Sequence, residues 1–268
     1  MKLDLPKFET EKQMLDYIVA NEQTIIAQSK MQIKEADGLG MPPTLLFGFG
    51  DKPTSKEEGE INLAEKDSIK AKLAINTTNV IDSHQDLHVS GLWDKSLKEN
   101  KRILHLQEHS RKFKDVISKG NDLKAYTEEK SWKDLGFDMD GKTEVLTFDS
   151  TIRKSVNTYM FDQYAKGMVE EHSVGMMYVK IVTCINDEEY PVQKENWDKY
   201  FPLAANKDSF TGKVFWAVLE AKAIEGSAVL LGSNSFTPTQ EIKALEFEEP
   251  RQTKEEIEKQ ALIDWLKK

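Results

Sequence analysis

Apolar and polar residues alternate along residues 69–77 (Ile69-Lys70-Ala71-Lys72-Leu73-Ala74-Ile75-Asn76-Thr77), and this period of two predicts a half-buried β-strand. The same pattern recurs at residues 213–220, residues 173–184 read as a strand, and 224–231 is a short apolar run of strand length. Shorter segments at 102–106, 115–118, 123–127 and 143–147 read as further strands, with turns at Gly120-Asn121-Asp122 and at 138–141. Three stretches follow a helical period instead. Residues 12–35 carry Met14, Ile18, Ile25, Ile26, Met31 and Ile33 on an imperfect stripe that Gly38 and Gly40 close. Residues 155–168 place Val156, Met160, Tyr164 and Met168 at four-residue steps, and 253–267 gather Ile257, Leu262, Ile263, Trp265 and Leu266 largely on one side. A short helix with Trp93 is expected at 92–97. Residues 80–88 read as a polar loop and 186–206 as an irregular, aromatic insertion.

These elements predict an α+β fold, a mainly antiparallel sheet flanked by helices, with helical N- and C-terminal extensions. The Lys-, Glu- and Pro-rich stretch 51–67 reads as a solvated connection. The expected organisation is a helical arm and linker over 1–66, one catalytic domain over 67–245, and a helical tail over 246–268.

Composition narrows the function. A chain of 268 residues with net charge -9 and its basic residues dispersed among acidic ones is a poor phosphate-backbone binder, so no nucleic-acid partner is expected. No apolar run approaches the ~20 residues of a membrane span, and the first residues lack the apolar stretch of a signal peptide. A cytoplasmic protein with no membrane partner is the expectation. Cys184, the single cysteine, sits in a strand-like stretch and is expected to be a small core residue rather than a nucleophile.

The candidate chemistry is a serine and a histidine. Ser173, in Glu171-His172-Ser173-Val174-Gly175-Met176, follows a helix and precedes a glycine that permits close backbone approach; His109 follows the apolar pair Ile103-Leu104. Serine becomes a nucleophile only when a neighbouring base takes its proton, and histidine is suited to that near neutral pH. Either residue alone has a commoner structural explanation as a cap, a turn or a hydrogen-bonded fixture. A metal site competes with the dyad. His84 and His88, like His105 and His109, are four apart, and His105-Leu106-Gln107-Glu108-His109 matches the inverted zinc-protease pattern with Glu108 as base. That pattern needs a helix, and the run around Leu104 and Leu106 reads as a strand.

The segment Asn79-Val80-Ile81-Asp82-Ser83-His84-Gln85-Asp86-Leu87-His88-Val89-Ser90-Gly91-Leu92-Trp93 resembles the start of the prohead protease family of tailed bacteriophages, where two acidic residues and a glycine before an aromatic precede the catalytic histidine. His109 resembles that histidine, Ser173-Val174-Gly175 the serine motif, and Ile224-Glu225-Gly226-Ser227-Ala228-Val229 a later acidic segment. Asn234 to Pro238 stands where the family has a Pro-Ala-Asn-Pro motif, whose Pro-Ala is missing here, and Gly226 replaces a usual apolar residue. The resemblance runs over about residues 69–238. It implies a barrel-like sheet related to herpesvirus assemblins and a serine endopeptidase that cuts scaffold and capsid-protein extensions, and itself, inside the immature prohead in the host cytoplasm. Scaffold and major capsid protein would be its partners, with homodimerisation by analogy, and it would need no cofactor or metal. Ser173 would be the nucleophile, His109 the general base and Glu225 the orienting acid, with Glu220 and His84 as substitutes for Glu225. Backbone amides near Gly175 or Met176 would hold the oxyanion. A zinc-dependent peptidase and a catalytically silent capsid or scaffold component with the same fold are the alternative functions.

Overall fold

A computed structural model of the chain describes residues 6–31, 33, 63, 66–100 and 102–244. The expected tail helix at 253–267 and nearly all of the linker lie outside these residues. Two sheets, one antiparallel and one mixed, form the body of the fold, and among the described residues neither closes into a barrel. One has the order β5-β6-β1-β9, from β1 (Ser68–Thr77), β5 (Leu123–Ser131), β6 (Lys142–Arg153) and β9 (Thr239–Ala244). The other is built on β8 (Val214–Val229), a strand of 16 residues. β7 (Glu171–Ile185) runs antiparallel along one edge of β8. Along the other edge β2 (Asp86–His88) and β3 (Leu104–Gln107) both pair in parallel, and β4 (Val116–Lys119) extends β3.

Sequence patterning placed most of these strands; β9 was not expected, and three further departures follow. The segments 213–220 and 224–231 are one strand, because β8 bends through register slips opposite Gly175/Met176 and Lys180/Ile181 instead of breaking. The expected loop at 80–88 ends in β2, whose three residues are all buried. The expected irregular insertion holds helix α5 (Pro191–Tyr200). Its Pro191 occupies the first turn, where no backbone donor is lost, and its buried face is only Gln193, Trp197 and Tyr200.

The N-terminal pattern is likewise broken, into α1 (Glu11–Ala20) and α2 (Glu22–Met31), where Asn21 caps α1 and its amide donates to the Tyr17 carbonyl at 2.8 Å. Leu15, Ile18 and Ile25 join the main core, so these helices pack as an outer layer of the domain. α3 (Asp94–Glu99) ties to β8 through the Ser96 hydroxyl, which accepts from the Ala223 amide at 2.9 Å. α4 (Thr158–Ala165) is capped by Asn157 and buries Met160, Phe161 and Tyr164. Cys184 is fully buried, and burial raises its thiol far above its ordinary range, as expected of a core residue. No helix among the described residues is long and apolar enough to cross a membrane.

Candidate active site

Cross-strand partners of an antiparallel pair share a face, as do residues two apart on one strand. Ser173 pairs with Ser227, and Gly175 with Glu225. These four positions therefore lie on one face of the β7/β8 ribbon. The opposite face turns toward the core, where Gly226 leaves room for the Phe148 ring and Ile75.

His109 reaches the site from the end of β3. Its Nδ1 lies 2.6 Å from Glu225 Oε1, with the carboxylate fully buried and the imidazole nearly so. The second carboxylate oxygen accepts from the Ser227 hydroxyl at 2.6 Å, and the Ser227 Oγ accepts the His109 backbone N–H at 3.1 Å. Glu225, Ser227 and His109 thus hold one another in a closed loop of hydrogen bonds. The turn delivering His109 is strained, because Glu108 (φ 48) and His109 (φ 56) are consecutive non-glycine residues in the left-handed region. The bond from Glu108 N to the Ala228 carbonyl, 2.9 Å, anchors the turn to β8.

Gly175, expected at the oxyanion position, also seats Glu225. A Cβ there would collide with Glu225 Oε1 and lie 2.7 Å from its Cδ, so glycine makes the notch that seats the carboxylate. The ladder slips between Gly175 and Met176.

The Ser173 hydroxyl makes no hydrogen bond among the described residues, and His109 Nε2 is buried without a partner. Ser173 and Glu225, the carboxylate that holds His109, lie on one face of the ribbon, one side-chain row apart. Of the substitutes for Glu225, Glu220 is elsewhere, paired with Lys95 at 3.3 Å, while His84 lines a cavity with Asp82 and Ser173. The inverted zinc pattern does not converge. Residues 104–107 are a strand, not a helix, and His105 Nδ1 and Nε2 bond Ser150 Oγ and the Tyr164 hydroxyl at 2.9 and 3.0 Å.

β7 is fixed from behind. Tyr164 OH also meets His172 Nε2 at 3.0 Å, and His172 Nδ1 meets the Thr237 carbonyl at 3.1 Å. Ser118 Oγ and Ser150 Oγ, 2.7 Å apart, continue this buried chain at its other end. The segment after β8 clamps the start of β7, since Gly232 N donates to Glu171 Oε2 at 3.1 Å and the Asn234 amide donates to the Thr77 carbonyl at 3.0 Å.

Ser227 is the site residue that motif reading missed, although it was visible in principle: Glu225 and Ser227 are two apart on a strand, hence on one face. No protein-family model, curated protein or solved structure matches this chain.

Proposed function

We propose that the chain is a serine endopeptidase in which Ser173 is the nucleophile, His109 the general base and Glu225 the group that orients the imidazole. The observation carrying this reading is the buried 2.6 Å contact of Glu225 with His109 Nδ1, on the sheet face that also bears Ser173. With Nδ1 committed to Glu225, Nε2 is the nitrogen left to face the serine. Ser173 Oγ attacks the scissile carbonyl carbon while its proton passes to Nε2; the proton then goes to the leaving amine as the peptide C–N bond breaks. A water, deprotonated by the same nitrogen, releases the acyl group. Backbone amides near the slip at Gly175 and Met176 are the proposed oxyanion donors. Catalytic hydrogen bonds are often long or poorly aligned until substrate is bound. The motifs shared with phage prohead proteases extend the proposal to scaffold and capsid-protein extensions as substrates, the host cytoplasm and prohead interior as the place of action, and self-cleavage.

A catalytically silent component with this fold is favoured by one observation, the absence of a hydrogen bond between Ser173 and His109. A fluorophosphonate probe separates the two readings. Labelling of the wild-type chain at Ser173, lost in Ser173→Ala together with processing of co-expressed scaffold, is the expected result; no labelling of the folded wild-type chain, or full processing by Ser173→Ala, would refute the peptidase.

A further inference from the structure

We infer that Asp82, His84 and Asp86 form a binding site for a divalent transition-metal cation. One ligand atom from each lies within 4.8 Å of the others, in the loop leading into β2. The residue between the second and third, Gln85, has φ 61, and this turn brings the three side chains together. Two carboxylates and one imidazole are a donor set for zinc or manganese rather than for calcium or magnesium, which prefer all-oxygen cages.

Both carboxylates are buried and held in place by hydrogen bonds. Asp82 Oδ1 accepts from the His84 and Asp86 backbone amides at 2.8 and 2.9 Å, and Asp86 Oδ2 accepts from the Tyr178 hydroxyl at 2.6 Å. Such outer hydrogen bonds orient metal-ligating carboxylates.

An independent observation comes from the cavity that Asp82 and His84 line. Asn76 is 1% exposed, and its Oδ1 has no hydrogen-bond partner among the described residues, while its amide nitrogen lies 2.9 Å from His88 Nδ1. A buried carbonyl oxygen left unbonded is destabilising unless something electropositive meets it. Asn76, Asp82, His84 and Ser173 all line this cavity, which admits little more than one water-sized sphere. That is the size for an ion with its water, and too small for a substrate side chain. Three protein ligands leave a coordination position open for the Asn76 oxygen or a water. Because Asp86 is bonded to Tyr178 on β7, a cation here ties the loop to the strand that carries Ser173.

The test does not depend on peptidase activity. Full-length protein, stripped with a chelator and titrated with Zn2+ and with Mn2+, should bind one ion per chain and gain thermal stability. His84→Ala, at a partly exposed position, and Asp82→Asn, which keeps the Oδ1 acceptor, should each weaken binding at least tenfold while the metal-free melting temperature holds. Absence of stoichiometric binding would overturn the inference. So would wild-type affinity in His84→Ala, or a bound ion that is lost in His109→Ala and kept in His84→Ala.

Discussion

Replacing Gly175 by alanine tests the geometry of the site without assuming any activity. The added Cβ would run into Glu225 Oε1, with Glu225 Cδ and Cγ at 2.7 and 3.0 Å. These atoms have no slack, because the carboxylate is fully buried and bonded on both oxygens, to His109 and to Ser227. Overpacking a filled interior costs about 1–3 kcal/mol, and displacing one of two charge-assisted hydrogen bonds adds about 1.5–3 kcal/mol. A loss of roughly 3–5 kcal/mol lowers the melting temperature by about 8–15 °C at the scaling of a domain this size. Urea unfolding monitored by tryptophan fluorescence would measure it. The decisive comparison is the double-mutant cycle. With Glu225→Ala already present the new methyl group meets empty space, so the second substitution should cost less than about 1 kcal/mol, a coupling of 2 kcal/mol or more between contacting residues. Equal costs in both backgrounds, or an unchanged melting temperature in Gly175→Ala alone, would refute the notch.

Two further outcomes follow from the same contacts. Glu225→Gln keeps the shape and one carbonyl acceptor but can turn its amide to His109 Nδ1 and favour the wrong tautomer; the rate of fluorophosphonate labelling should fall about 10²–10⁴-fold with the melting temperature nearly unchanged, and an undiminished rate would remove Glu225 from the mechanism. His105 is fully buried, and burial together with nearby His172 holds it well below its ordinary value of 6.5. The unfolded chain therefore binds a proton that the folded chain excludes, so this contribution is complete above pH 6.5 and is lost as the pH falls below it. The slope should be about 1.4 kcal/mol per pH unit. Stability measured at pH 5, 6, 7 and 8 should fall on the acid side, less steeply in His105→Gln; a flat profile in the wild type would contradict the burial of a neutral ring.

Much of the fold was legible because strand-length apolar patterning marks β1, β6 and β7, although burial alternates only toward the ends of β6 and covers both faces over long runs of β1 and β7. Legibility failed where few positions carry the signal. α5 buries only three residues, and β2 is too short to show an alternation. The slips in β8 made one strand look like two, since each inverts the alternation halfway along. At the site, Ser173, His109 and Glu225 were named from the sequence, and the contact of the last two bears on their pairing. The role of Gly175 was not legible, because a notch for a side chain on a neighbouring strand depends on register. Nor was the left-handed pair Glu108-His109, which no glycine announces.

The buried chain behind β7 also has a direction. Thr237 offers a carbonyl oxygen that can only accept, so for uncharged rings His172 carries its proton on Nδ1 and presents a bare Nε2 to the Tyr164 hydroxyl. Tyr164 spends its only proton there and must accept from His105 Nε2, which leaves His105 Nδ1 to accept from Ser150, and Ser150 to accept from Ser118. One peptide group thus sets both tautomers and every proton along the line. A β7 shifted by one residue would bring Ser173 in place of His172, with no ring to link Tyr164 to Thr237. The polarity of this line makes the strand's register an all-or-none choice, and with it the side of the sheet on which Ser173 emerges.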